Sequence, residues 1–264
     1  MAKARLDVLL VHRGLAESRT AAQRLIMAGK IRVAGELITE PSRRVDENIP
    51  IELDSGPKYV SRGGEKLEPA LHAFGLENLQ GFVCADVGAS TGGFTDCLLQ
   101  HGAQKVYAID VGYGILHWRI RQDPRVIVME RTNARHVESL PEAIHLVTVD
   151  ASFISLKILL PVIKKWLASP MGHVIALIKP QFEAGREEVS KGEGVIRDEA
   201  VHQKVIKEVL QNAIELGYQV EGLIQSPLRG PKGNIEFLVH LTPGKGDPSV
   251  IDCLIQGVFV KPGN

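Results

Sequence analysis

Phe82-Val83-Cys84-Ala85-Asp86-Val87-Gly88-Ala89-Ser90-Thr91-Gly92-Gly93-Phe94 decides how this chain is read. Its first six residues are apolar apart from Asp86, the composition of a strand buried on both faces. Gly88, Gly92 and Gly93 crowd the turn that follows, and a helix starts at Phe94 and runs to Gln100. Such a turn lets the backbone approach a ligand closely and sets a helix N-terminus beside it. The spacing is not G-x-G-x-x-G, so a pyrophosphate-binding dinucleotide fold is disfavoured. Asp86 would repel a phosphate and suits a cationic ligand.

Outward from this turn, strands and helices alternate. Strands are expected at Lys105 to Asp110, Arg125 to Met129, Leu146 to Val149, Val174 to Ile178 and Asn234 to Leu241. Helices are expected at Ile115 to Arg121, Ser155 to Leu167 and Asp198 to Leu216. The alternation predicts an α/β fold, a parallel sheet with helices on both faces. Ligands of such sheets sit at the carboxyl ends of the strands, where strand order switches. Asp110 ends the second strand, and an acid there can accept hydrogen bonds from both ribose hydroxyls of a nucleoside. A cationic-ligand loop and a ribose-binding acid together describe a pocket for S-adenosylmethionine. The competing reading is a plain strand–helix turn flanked by surface aspartates.

Four charged residues stand in apolar or glycine-rich surroundings. Lys66 lies in Ser-Arg-Gly-Gly-Glu-Lys-Leu, Asp150 ends the fourth strand, Lys179 ends the fifth, and Glu236 lies within the late strand. A lone lysine at a strand end is usually a boundary residue, but unpaired burial of charge inside strand-like runs is costly. Two lysines and two carboxylates suit methyl transfer to a sugar hydroxyl. The hydroxyl is a poor nucleophile until its proton leaves, and a lysine disfavoured as a cation by a neighbouring lysine and by partial desolvation can take that proton. The carboxylates hold the ammonium groups, and alignment for in-line attack supplies the rest.

The N-terminus is different in kind. Residues 1–45 hold nine basic and four acidic side chains, while the whole chain is neutral. Leu6, Leu9 and Leu10 recur at helical spacing up to Gly14. Ser18 caps a second helix that places Ala22, Leu25 and Ile26 on one face and ends near Gly29. Ile31 to Ile38 reads as a hairpin turning at Ala34-Gly35. Such a small basic unit suits a polyanion, a solvated helix face being the plainer reading. "RLDVLLVHRGLAESRTAAQRLIMAGKIRVAG" resembles the S4 RNA-binding domain over about residues 4–50. The resemblance implies RNA contacts from a basic face, with Arg5, Arg19, Arg24, Lys30 and Arg32 as candidates, joined by Arg62 at the end of the next segment. The expected division is an S4-like α+β domain at 1–53, a linker at 54–62, a large domain at 63–245 and a tail at 246–264.

The large domain carries a second resemblance. Lys66, Asp150, Lys179 and Glu236 match the K-D-K-E tetrad of ribose 2′-O-methyltransferases of the FtsJ type. The strings "DVGASTGGFTD", "AIDVGYG", "DASFISL", "IKPQFE" and "GNIEF" resemble the hemolysin A (TlyA) family, which joins an S4 domain to an FtsJ-like domain. The resemblance implies a Rossmann-like class I methyltransferase sheet. It implies S-adenosylmethionine-dependent 2′-O-methylation of ribosomal RNA, with cytidine as target and ribosomal RNA or subunits as partner. It assigns Lys179 as base, Lys66 as its tuning neighbour, and Asp150 and Glu236 as orienting groups. Cofactor contacts are implied for Asp86, Gly88, Ser90, Gly92, Gly93, Phe94, Asp110 and Asn133.

Composition bounds these readings. With 264 residues, 44% hydrophobic and 23% charged, the chain suits a globular protein of one or two domains. No apolar run approaches the roughly 20 residues of a membrane helix, and Met1 to Val11 lacks a secretory core. Three cysteines without C-x-x-C spacing and scattered histidines disfavour a disulfide framework and a metal site, and suit a reducing cytoplasm. Three rivals stay open: a membrane-active toxin, a non-catalytic RNA-binding or assembly factor, and a methyltransferase for a small molecule. Gly185 to Arg197 reads as a substrate lid or a plain loop, Trp118 as packing rather than base stacking, and Tyr59 as packing or a base-stacking residue. Ile251, Leu254, Ile255 and Val258 are expected to pack the tail on the large domain.

Overall fold

A computed structural model describes residues 3–54, 56–185, 194–230 and 232–259. The chain divides into two compact units, Met1–Lys58 and Tyr59–Asn264.

In the first unit, helices α1 (Leu6–His12) and α2 (Arg19–Met27) lie beside two small antiparallel sheets. Strands β1 (Lys3–Arg5) and β4 (Arg44–Asp46) pair with each other. The other sheet has β2 (Ile31–Val33) between β3 (Glu36–Leu37) and β5 (Ile51–Leu53). Ser18 Oγ accepts from the Ala21 N–H at 3.2 Å, so the N-cap sits where its side chain dictates. Ala34 and Gly35 both have positive φ, 49° and 81°, the two-residue hairpin turn that matches strand twist. Leu6, Leu10, Ala22, Ile26 and Ile31 form a fully buried core. Three of the strands were not legible, because three residues are too few to show a period of two.

The second unit is built on a seven-stranded sheet of order β11-β12-β10-β9-β6-β7-β8. Strands β6 (Val83–Val87), β7 (Lys105–Ile109), β8 (Val126–Met129), β9 (Leu146–Val149) and β10 (His173–Ile178) run parallel. Strand β12 (Phe237–Pro243) enters antiparallel between β10 and β11 (Tyr218–Gln225). Alternate residues of β10 feed opposite cores. Val174, Ala176 and Ile178 pack with helices α6 (Leu156–Ile163), α8 (Glu199–Glu215) and α9 (Val250–Phe259). Ile175 and Leu177 pack with α3 (Gly63–Ala73), α4 (Gly93–Gln100) and α5 (Trp118–Arg121). The short α7 (Pro180–Glu183) follows β10. This is the expected α/β sheet with helices on both faces.

Several expectations change. The helix expected over Ser155 to Leu167 ends at Ile163, and that over Ile115 to Arg121 begins at Trp118. Trp118, read as packing, is 64% exposed and leans on His117. Glu236 lies just ahead of β12 rather than inside a strand. Strand β11 and helix α3 were not expected. Tyr59 to Arg62, read as linker, belong to the second unit: Tyr59 is buried, and the Val60 N–H donates to Asp96 at 2.8 Å. Gly64 makes room for that ring, since a Cβ there would lie 2.2 Å from it. Tyr59 is therefore a packing residue and offers no face to a base. Ile251 and Ile255 of α9 are buried against the sheet. Most of the segment read as a lid, 186–193, lies outside the described residues.

Candidate active site

From β6 the chain proceeds to β7 and β8 on one side, then crosses to β9 and β10 on the other. The carboxyl ends of β6 and β9 thus flank the point where strand order switches, the place for a ligand crevice. Two cavities open there. The larger, about 630 Å³, is bordered by Gly88, Asp110, Val111, Asn133, Phe153 and Ile158 among others. The smaller, about 350 Å³, has Arg62, Lys66, Phe94, Asp150 and Arg229 in its walls. Gly88, Ser90 and Asp150 belong to both.

The turn after β6 is shaped for close approach. Gly88 has φ +84°, and a Cβ there would lie 2.7 Å from the Asp150 carbonyl oxygen. Ser90 has φ +49°, and its N–H donates to Asp110 Oδ2 at 2.8 Å, while the Gly112 N–H donates to Oδ1 at 2.7 Å. Both carboxylate oxygens of Asp110 are so held by backbone, and each keeps a further lone pair for a hydroxyl on the cavity side. Asn133 borders the same cavity and caps the short 3₁₀ turn Ala134–His136 by accepting from the Arg135 N–H at 3.2 Å. Phe94, almost wholly buried, and Gly93 border the smaller cavity. Gly93 and Gly92 serve packing: their Cβ atoms would meet Ser61 Oγ at 2.3 Å and Leu116 Cδ1 at 2.9 Å.

Asp86 departs from expectation. It borders neither cavity, is fully buried, and accepts from Thr95 Oγ1 at 2.7 Å and Thr148 Oγ1 at 3.1 Å. Burial pushes its carboxyl up to about 7 against these two hydrogen bonds. It ties β6 to α4 and β9 beneath the turn, and the cationic-ligand contact assigned to it is corrected to that placement. The alternation of the strand decides this: at position 86 the side chain points between neighbouring elements, not out of the sheet end.

The tetrad forms two ion pairs from four parts of the chain. Lys179, at the end of β10 and 7% exposed, places Nζ 2.6 Å from Asp150 Oδ1 and donates to Ser152 Oγ at 3.0 Å. Lys66, on the first turn of α3, places Nζ 2.6 Å from Glu236 Oε2. Glu236 is 1% exposed, and its Oε1 has no partner among the described residues. Gly230 approaches that carboxylate so closely that a Cβ would lie 2.5 Å from Oε1. Lys66 and Asp150 face the smaller cavity, and Lys179 and Glu236 stand behind them as their partners. Burial of such charges is tolerated because each is matched.

Three side chains beside the site were not anticipated. Glu183 of α7 accepts from the Leu156 N–H at 2.7 Å and from Ser155 Oγ at 2.5 Å, so it pins the loop that carries Asp150 and Ser152. Burial raises its carboxyl above the usual range. Ser152 touches Lys179, and Arg229 borders the smaller cavity, as Arg62 does. Arg229 lies in the loop after β11, a strand the sequence reading did not find. The remaining RNA candidates are in the first unit. Arg19, Arg24 and Arg32 are exposed, and Arg5 and Lys30 are half-buried.

A Rossmann-like sheet with a nucleoside-sized crevice at its switch point and two lysine–carboxylate pairs beside it defines the class, a methyltransferase. The chain belongs to the FtsJ-like methyltransferases of the hemolysin A (TlyA) kind: residues 59–242 match the FtsJ-like methyltransferase family and residues 4–48 the S4 domain. A Bacillus subtilis protein, YqxC, provisionally named an rRNA methyltransferase, is 48% identical over 92% of this chain and 88% of its own. The 16S/23S rRNA (cytidine-2′-O)-methyltransferase TlyA of Mycobacterium tuberculosis is 45% identical over 90% of each chain. A solved structure from Streptococcus thermophilus, provisionally described as a hemolysin, is 42% identical with a TM-score of 0.71, covering 97% of this chain and 96% of that one.

Proposed function

We propose that the protein methylates the ribose 2′-hydroxyl of a ribosomal RNA nucleotide, cytidine in view of the M. tuberculosis relative, using S-adenosylmethionine. The observation that supports this best is the pair of matched lysine–carboxylate contacts at 2.6 Å beside a cavity at the sheet's switch point. The residues of the larger cavity fit the cofactor: Gly88 leaves backbone bare where a Cβ could not stand, and Asp110 presents a carboxylate already oriented for two hydroxyls. When bound, S-adenosylmethionine supplies an electrophilic methyl group. Asp110 and Asn133 hold the nucleoside portion, and the turn from Gly88 to Phe94 carries the rest.

The smaller cavity receives the target ribose. Arg62 and Arg229 stand on its walls and hold the flanking phosphates. Lys179, held in place by Asp150 and Ser152, takes the 2′-hydroxyl proton as its neutral amine while the oxygen attacks. Lys66, anchored by Glu236, adds positive charge beside the developing alkoxide. Loss of such a general base typically costs about 10² to 10⁴ in rate. The S4-like unit holds the RNA, and the setting of such a reaction is the cytoplasm.

The test is methyl transfer from labelled S-adenosylmethionine to separated ribosomal subunits from a strain lacking this protein. The expected result is label recovered as a 2′-O-methylated nucleoside with the native protein and none with Lys179→Ala, whose cofactor affinity stays near normal. Native rate in Lys179→Ala would overturn the base assignment. Absence of label on both subunits would overturn the substrate.

A further inference from the structure

Among the described residues, Asp7 is the fully buried charged side chain of the first unit. Four hydrogen bonds converge on it. Arg5 donates through Nε to Oδ1 at 3.1 Å and through Nη2 to Oδ2 at 3.0 Å. Arg19 Nε and Gln23 Nε2 each donate to Oδ2 at 2.9 Å. These bonds, led by that from Arg5, hold the Asp7 carboxyl well below the usual carboxylate range. The two guanidiniums nonetheless face solvent, with side chains 38% and 56% exposed. Arg5 Nη1 and both Nη groups of Arg19 have no partner among the described residues. A single carboxylate thus fixes two guanidiniums by their inner edges and leaves their outer edges free.

We propose that Asp7 is a positioning residue for RNA binding, one that presets Arg5 and Arg19 as a paired phosphate clamp. This rests on the reading of the first unit as the RNA-binding unit. The argument is one of preorganisation. A free arginine loses rotamer freedom when it grips a phosphate, and here that loss is taken on folding. The forks are planar and rigid, so fixing Nε also fixes where the outer N–H groups point. Gln23 completes the set from one turn further along α2 and fills the acceptor capacity of Oδ2.

Charge alone predicts the reverse. A carboxylate beneath two phosphate-binding arginines opposes a polyanion, so neutralising it should tighten RNA binding and steepen its salt dependence. Asp7→Asn separates the two accounts by the sign of the effect.

The measurement is affinity of the full chain for deproteinised ribosomal RNA across a salt series, with folding followed by circular dichroism. Asp7→Asn should weaken binding by about tenfold, the scale of losing a well-made phosphate contact. In an Arg5→Ala, Arg19→Ala background the same change should do nothing further, because its effect passes through those two residues. Arg19→Lys, which keeps the charge and loses the Nε anchor, should weaken binding and so serves even if Asp7→Asn fails to fold. Unchanged or tighter binding by a folded Asp7→Asn, equal weakening in the double-alanine background, or native binding by Arg19→Lys would overturn the proposal. Native binding by the double-alanine protein would overturn the RNA reading of this face, and the clamp with it.

Discussion

Gly88 shows how much of the site depends on an atom that is not there. Its φ of +84° and the Asp150 carbonyl 2.7 Å from any Cβ leave no route for accommodation, because both obstacles are backbone. Gly88→Ala should cost about 1–3 kcal/mol of stability and weaken S-adenosylmethionine binding, which urea unfolding and calorimetric titration would measure. Asp86 makes a prediction of another kind. Burial raises its carboxyl from 3.8 to about 7, so the folded protein keeps a proton that the unfolded chain releases. That contribution to stability is complete below the unfolded value and is lost as pH rises through the folded one. Asp86→Asn has no such proton to lose. Its melting temperature relative to the native protein should therefore climb between pH 4 and pH 7 and level off above; a constant difference would refute the assignment.

At the scale of elements, the loop between β9 and α6 carries Asp150 and Ser152 and is held by Glu183 from α7. Glu183→Ala frees the Leu156 N–H at the start of α6, a loss worth about 1 kcal/mol by analogy with helix caps. Methyl transfer should fall by about tenfold, since small displacements of reacting groups are costly, while cofactor affinity changes less. A rate equal to that of the native protein would remove Glu183 from this role. The elements differ in how plainly the sequence announces them. Strands β6, β9 and β10 are mostly apolar runs, each carrying one polar residue (Asp86, Thr148, His173), and Asp150 and Lys179 directly follow β9 and β10. Strand β11 alternates buried and exposed residues across Gly222, where the register shifts, and so gave no clean period. Helix α3 opens on two glycines and contains Pro69, which hides a helix whose inner face is Leu67, Ala70 and Leu71. The tetrad was visible because charge stands out in apolar surroundings. Arg229 was not, because an arginine in a proline- and glycine-rich loop looks like any surface residue. Asp86 shows the other limit: the type of residue was legible, but not which way it points.

At the scale of the molecule, positive charge is divided between the two units. Arg19 and Arg24 belong to the first, Arg62 and Arg229 to the cavity wall of the second. If the first unit supplies affinity and the second supplies alignment, the two sets separate in kinetics. Arg19→Ala with Arg24→Ala should raise the KM for RNA and reduce the salt slope by about two phosphate equivalents. Arg62→Ala with Arg229→Ala should lower kcat more than it raises KM, as expected for contacts that strengthen in the transition state. Identical kinetic profiles for the two double variants would abolish this division of labour.

The Lys66–Glu236 pair joins positions 170 residues apart, and β12, which lies between β10 and β11, follows both of them in the chain. A nascent chain therefore exposes a complete S4-like unit long before it owns the carboxylate that neutralises Lys66. A chain released short of Glu236 would keep the S4-like unit and lack the carboxylate that pairs with Lys66. On the proposed function, a chain ended between the S4-like unit and Glu236 would compete with the longer chain, occupying its substrate without modifying it.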